Sequence, residues 1–234
     1  RENGSGLTSV LLEPGDYTLE WCDSIYNNTS ENVKTKIQNI ELSSNWVDVE
    51  LTKAGTLGVE VLYKVDVLKE VELLKVSGNL NSDDWTAIKN MKNLLGLDLS
   101  EAKFNSVPGY AFDGLSNLSY VVLPEGPTSI GQYAFKETQI LNIDIPNTVT
   151  SIGRFAFAGT RIRSVHFKEG SELTYIGNNA FGGCTSLEQF IMPNTVISLG
   201  TYDGNVNSAC ETFYNCTNLE KLHFSDALLT LEKS

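Results

Sequence analysis

A chain of 234 residues is long enough for one or two domains with a sizeable core. Its 17 Lys and Arg stand against 29 Asp and Glu, and the resulting net charge of −12, with no local basic patch, opposes binding to nucleic acid or an anionic membrane. Uninterrupted apolar runs such as 120–123 reach only about four residues, far short of the roughly 20 that a membrane helix needs.

The chain begins at Arg1 with no leader pattern, so the expectation is a piece of a longer protein whose targeting sequence lies elsewhere. Residues 1–46 read as short strands over 7–12, 17–21 and 36–42, the first two separated by the turn signal Pro14-Gly15-Asp16. They form either a β-rich N-terminal cap or the remnant of a preceding domain. Residues 47–234 form a second domain, with a cap over 47–93 and repeats over 94–234. Alternation predicts a strand over 47–51, and the mixture of apolar and charged residues over 54–67 predicts a helix despite Gly55 and Gly58.

The repeat begins with Val71, Leu74 and Val76 and recurs at Leu94, Leu97 and Leu99. A helix should connect these two strands, with Ser82 as N-cap, Asp83 and Asp84 on the positive end of its dipole, and Trp85, Ile88 and Met91 along its buried face. Further strands open at Leu118, Ile140, Ile162, Leu187 and Leu219. Phe112, Phe135, Phe157, Phe181 and Phe213 fall in one column, 23, 22, 24 and 32 residues apart, and periods in the low twenties indicate leucine-rich repeats. The predicted fold is an α/β solenoid, a right-handed array with one parallel β-sheet and the phenylalanines inside.

The unit is clearest over 174–194. Leu187, Phe190 and Met192 point inward, Gln189 and Ile191 point outward, and Pro193 closes the strand because it has no N–H to give the ladder. Gly177 and Gly183 bracket the return arm at places expected to need positive φ. Between Leu199 and Phe213 the coil carries a nine-residue insertion relative to 176–181, expected to project as a loop. At the other end, 228–234 reproduces the approach to a return arm and stops one residue before the expected Ala-Phe pair, as if within a repeat.

Candidate chemistry is sparse. Asp203, Asn205 and Asn207 alternate like calcium-loop ligands, but Ser208 and Tyr214 replace the required glycine and glutamate, which favours an ordinary polar loop. Cys184 and Cys216 share one repeat position and read as small buried residues in preference to a disulfide, while Cys22 and Cys210 stay undecided. The two histidines, His166 and His223, lie in one outward column with Ile191 between them, too far apart for one metal. Asp144 beside His166 could pair, yet no nucleophile or oxyanion donor accompanies them, so neither catalysis nor a cofactor is expected. Recognition then falls to the outward strand columns: Tyr120 and Val122, Asn142 and Asp144, Ser164 and His166, Gln189 and Ile191, Lys221 and His223, with Tyr120 as the leading anchor.

The phrase TSIG-x-x-AF-x-G-C-x-x-L, continuing to a strand and Pro-Asn, runs through 150–159 and 174–194 and resembles the Bacteroides surface protein A-like (BspA-like) leucine-rich repeats. The resemblance covers about 104–234, and the segments AGTL at 54–57 and 74–102 look like the cap that precedes such arrays in secreted Bacteroidetes proteins. Lys168 and Ser225 in place of proline, and Glu137 in place of glycine, depart from the pattern. The resemblance implies an extracellular or outer-membrane-attached protein that binds host matrix, host cells or other bacteria through a protein or glycan ligand. The alternative it leaves is a non-catalytic glycan-binding or accessory module of a larger enzyme or surface complex.

Overall fold

The computed structural model describes residues 46–200, 211–227 and 230–231, which belong to one unit, Trp46–Ser234. The strands expected within 1–45, the insertion with Asp203, Asn205, Asn207 and Ser208, and Cys22 and Cys210 lie outside the described residues.

Strand β1 is Trp46–Leu51, β2 Leu73–Asn79, β3 Gly96–Lys103 and β4 Tyr120–Val122, and they pair in parallel in that order. Each expected repeat strand is present, but its ladder starts two residues after the leading aliphatic. The reason is local: Val71, Leu94, Leu118, Leu187 and Leu219 each donate their N–H to a carbonyl three residues back, so the leading aliphatic finishes a turn.

The single sheet expected from the repeat is corrected in two ways. First, the strand column is divided: β6 (Asn142–Ile145) pairs with β8 (Ser164–Phe167), and β10 (Gln189–Ile191) with β12 (Lys221–His223), as separate two-stranded ladders. The lapses fall between β4 and β6 and between β8 and β10. Lys168 replaces proline after β8 and donates to the Ile145 carbonyl at 3.1 Å, extending that pairing. Second, the T-S-I-G runs form a ladder of their own: β5 (Ser129–Ile130), β7 (Ser151–Ile152), β9 (Tyr175–Gly177), β11 (Ser198–Gly200) and β13 (Thr230–Leu231). Two to three residues are too short to show a period of two, so this sheet leaves no alternation in the sequence.

The helices are also shorter or differently capped than expected. Helix α1 covers Leu57–Leu62 only. The Lys64 and Val65 amides turn back to Val61, and the β-branched residues and aspartate that follow end the helix before a 3-10 turn at Leu68–Glu70. Helix α2 covers Ser82–Lys89, and its N-cap is Asn81 rather than Ser82: the Asn81 side chain accepts from the Asp83 amide at 2.9 Å and the Asp84 amide at 3.4 Å. Asp84 completes a capping box and does more than face the dipole. It is fully buried, and its carboxylate accepts from the amides of Gly55 (2.7 Å), Leu57 (2.9 Å) and Asn81 (2.9 Å), joining the start of α1 to the start of α2.

The core is a stack of columns. Phe112, Phe135, Phe157 and Phe181 are fully buried, with successive ring centroids 4.7, 4.9 and 5.2 Å apart, and Trp85 opens the stack edge-on to Phe112 at 5.9 Å. Phe213 lies 5.8 Å beyond Phe181 and is half-buried. Gly183 has the expected positive φ of 72°, whereas Gly177 does not. A Cβ on Gly177 would stand 2.5 Å from the Arg154 nitrogen, and one on Gly131 or Gly153 would meet the preceding coil's backbone nitrogen at 2.4 or 2.6 Å. These glycines let coils approach rather than let the chain turn. Positive φ falls instead on Tyr110, Tyr133, Phe155 and Asn179, two residues before each phenylalanine, and on Glu137, which takes the glycine position at φ 60°.

Cys184 and Cys216 are free thiols. They resemble threonine more than a plain hydrophobe, since Cys184 donates to the Phe157 carbonyl and Cys216 to the Phe181 carbonyl, both at 3.1 Å. Thr138 occupies the same repeat position and donates to the Phe135 carbonyl at 2.8 Å. Burial pushes the Cys184 thiol pKa up, and burial with the neighbouring Cys184 pushes Cys216 up to about 11.

Candidate functional site

Strands of three or four residues with an inward aliphatic or aromatic second residue present their first and third side chains to the opposite face from the core. In β4, β6 and β10 the second residues Val121, Ile143 and Phe190 are buried, and in β8 and β12 Val165 and Leu222 are half-buried against the core. All the expected outward residues therefore share one face, in rows set by the register. Gly96 aligns with Tyr120 and Asp98 with Val122. Asn142 aligns with Ser164, Asp144 with His166, Gln189 with Lys221 and Ile191 with His223.

The face has three zones. At the cap end, half-buried Tyr120 meets the edge of Trp46 at 6.4 Å and 72°. Their row reads Trp46, Leu73, Gly96, Tyr120, so the missing side chain at Gly96 gives the rings room to converge. The sequence reading overlooked Trp46 because it fell on the assigned domain boundary, although its alternation with Val47 continues the strand pattern. In the middle, Ser164 donates to the Asn142 side-chain oxygen at 2.8 Å and the His166 Nδ1 lies 3.2 Å from the Asp144 carboxylate. Both members of the His166–Asp144 pair are more than two-thirds exposed, so water screens them and the contact fixes side-chain direction more than stability. At the far end Ile191, 63% exposed, borders a hollow of about 560 Å³ together with Gln189, Lys221 and His223.

The two histidines stand in different ladders, one against Asp144 and the other against Ile191. Among the described residues no three His, Cys, Asp or Glu side chains converge as a metal site. The face offers hydrogen-bonding groups between the Trp46–Tyr120 pair at one end and exposed Ile191 at the other.

A second feature occupies one repeat position, two residues before each column phenylalanine, and it escaped the sequence reading because the position changes from tyrosine to phenylalanine and then to Asn179. Tyr110, Tyr133 and Phe155 stack face to face along the return arms, with centroids 4.8 and 5.0 Å apart and planes within 11° and 7°. Arg154 lies 5.6 Å from the Tyr133 ring centre and is tied to Gln132 at 3.1 Å.

A family model described as a BspA type leucine rich repeat region matches residues 105–234 in six copies. Among solved structures, a leucine-rich repeat protein from Bacteroides ovatus is similar at 19% identity and TM-score 0.41, over 65% of this chain and 42% of that one. A leucine-rich repeat protein from T. pallidum is similar at 18% identity and TM-score 0.38, over 76% of this chain and 69% of that one. A leucine rich cell surface protein from Faecalibacterium prausnitzii is similar at 14% identity and TM-score 0.31, over 69% of this chain and 65% of that one. The chain thus spans less than half the length of the Bacteroides ovatus protein. A search of curated proteins finds no match. No helix among the described residues is long and apolar enough to cross a membrane.

Proposed function

Because this chain belongs to the BspA type leucine-rich repeat family, a fold used for protein interaction, we propose that it is a non-catalytic adhesion module displayed outside the cell, with the outward strand face as its contact surface. The observation that carries this reading is the layout of that face: an aromatic pair at Trp46 and Tyr120, a hydrogen-bonded polar centre, and Ile191 over a hollow. Interfaces draw most of their energy from a few aromatic or apolar anchors within a polar surround. The reading includes a right-handed solenoid, the hand favoured when parallel strands are joined by crossovers.

The test is a binding screen of the 234-residue chain against immobilised extracellular matrix proteins, followed by a joint Tyr120→Ala, His166→Ala and Gln189→Ala change. Binding to a matrix protein should weaken by more than about tenfold while the thermal midpoint stays nearly fixed. Affinity that survives the triple change would place the contact elsewhere. Surface display is checked separately, by labelling intact producing cells with an antibody to the chain; no labelling until the cells are opened would refute it.

A further inference from the structure

The Tyr110–Tyr133–Phe155 stack ends at Tyr110, and what lies past that end defines a second site. Each ring in the stack leans on the ring of the next coil, so Tyr133 covers one face of Tyr110. The preceding coil has helix α2 where a return arm would place another ring. The place of that ring is a cleft of about 440 Å³ between α2 and the first return arm, bordered by Tyr110, which is 41% exposed. This volume is within the roughly 300–1,000 Å³ common for small-molecule sites. Its apolar lining comes from Trp85 and Phe104, packed edge-on at 5.0 Å.

The lip has a different chemistry. Ser82 and Thr86 from α2 face Asn105 and Ser106 from the segment after β3. Among the described residues the side chains of Ser82, Asn105 and Ser106 have no protein hydrogen-bond partner, so hydroxyl and amide groups that both donate and accept remain open to a ligand. The one cation, Lys89, lies 4.0 Å from the Asp113 carboxylate, which leaves the lip close to neutral. A flat aromatic face beside neutral two-way hydrogen-bonding groups matches a pyranose, whose C–H face meets the electron-rich ring while its hydroxyls meet the lip. A peptide anchor side chain would be better served by apolar walls that close around it.

We propose that this cleft binds a neutral sugar unit of a glycan, stacked on Tyr110 as the next member of the aromatic column. The site is separate from the strand face, and either can fail without the other.

Saturation-transfer NMR of the full chain with maltose, cellobiose, lactose and diacetylchitobiose tests it. At least one disaccharide should receive saturation on one ring face. Tyr110→Ala should weaken that binding by at least about tenfold, while Tyr110→Phe keeps it, since the stacking face survives the loss of the hydroxyl. Thr86→Trp, at an exposed lip position, should plug the cleft and abolish binding even if Tyr110→Ala disturbs folding. The triple change on the strand face should leave sugar binding intact. No transfer to any of these sugars would overturn the proposal, as would transfer that survives Thr86→Trp. Occupation by N-acetyltyrosinamide but by none of the sugars would overturn it in favour of a peptide ligand.

Discussion

The stretch 46–103, which includes the expected cap, and the repeats that follow it solve the same problem, holding parallel strands in register, by different means. In the cap, strands of six to eight residues pair over most of their length, and a buried carboxylate fastens the helices to one another. In the repeats, strands of two to four residues cannot do this alone, and columns of phenylalanine and close-packed glycine take over. The cap adds polar contacts specific to single residues to its apolar core, while the repeats are held by modest contacts made many times.

The largest expected effect is in the repeat spine. Phe157→Ala removes a ring stacked on both sides and should cost about 3–5 kcal/mol, whereas Phe213→Ala, half-buried, should cost clearly less. Chemical denaturation of both variants measures the difference; equal losses would mean that the spine is not cumulative. Asp84→Ala in the cap comes next, at about 3 kcal/mol, because three amides lose a charged acceptor in a buried setting. For a unit of this size that is a drop of roughly 6–12 °C in thermal midpoint. A shift within the error of the melting curve would show that the clamp is dispensable.

Gly153→Ala should cost about 1–3 kcal/mol through a Cβ driven to 2.6 Å of backbone, although its φ is one that alanine tolerates. An unchanged midpoint would show that neighbouring coils can separate freely. The smallest effect is on reactivity. With its pKa raised from 9.0 to about 11, Cys216 should be alkylated at pH 8 roughly 100-fold more slowly in the folded chain than after unfolding, as judged by peptide-resolved mass spectrometry. The sign also means that folding stability falls as pH rises between those two values, since the folded state holds the proton more tightly.

The same contrast explains what was legible in the chain. The phenylalanine column, the leading aliphatics and the outward rows follow from a period repeated several times, so they could be read without coordinates. So could the pairing of Asp144 with His166, because equal offsets in adjacent repeats become neighbours in a parallel ladder. Trp46 at the strand face, the Asn81 cap and the Asp84 clamp each occur once, and no period marks them. The T-S-I-G glycines stood out in the text, but for a reason the text misassigned: turn geometry and backbone proximity both select glycine, and only coordinates separate them.

By itself, then, the sequence determined the repeat, its inward and outward positions and its family, because each is a one-dimensional regularity that neighbouring coils convert directly into contact. Tertiary structure alone decided where the ladders lapse, that the T-S-I-G runs make a second sheet, and that a cleft opens beside Tyr110. The cleft depends on how one coil meets a neighbour unlike itself, a helix against an aromatic arm, and the second sheet on strands too short to show their period, so both are set by distance in space rather than by spacing along the chain.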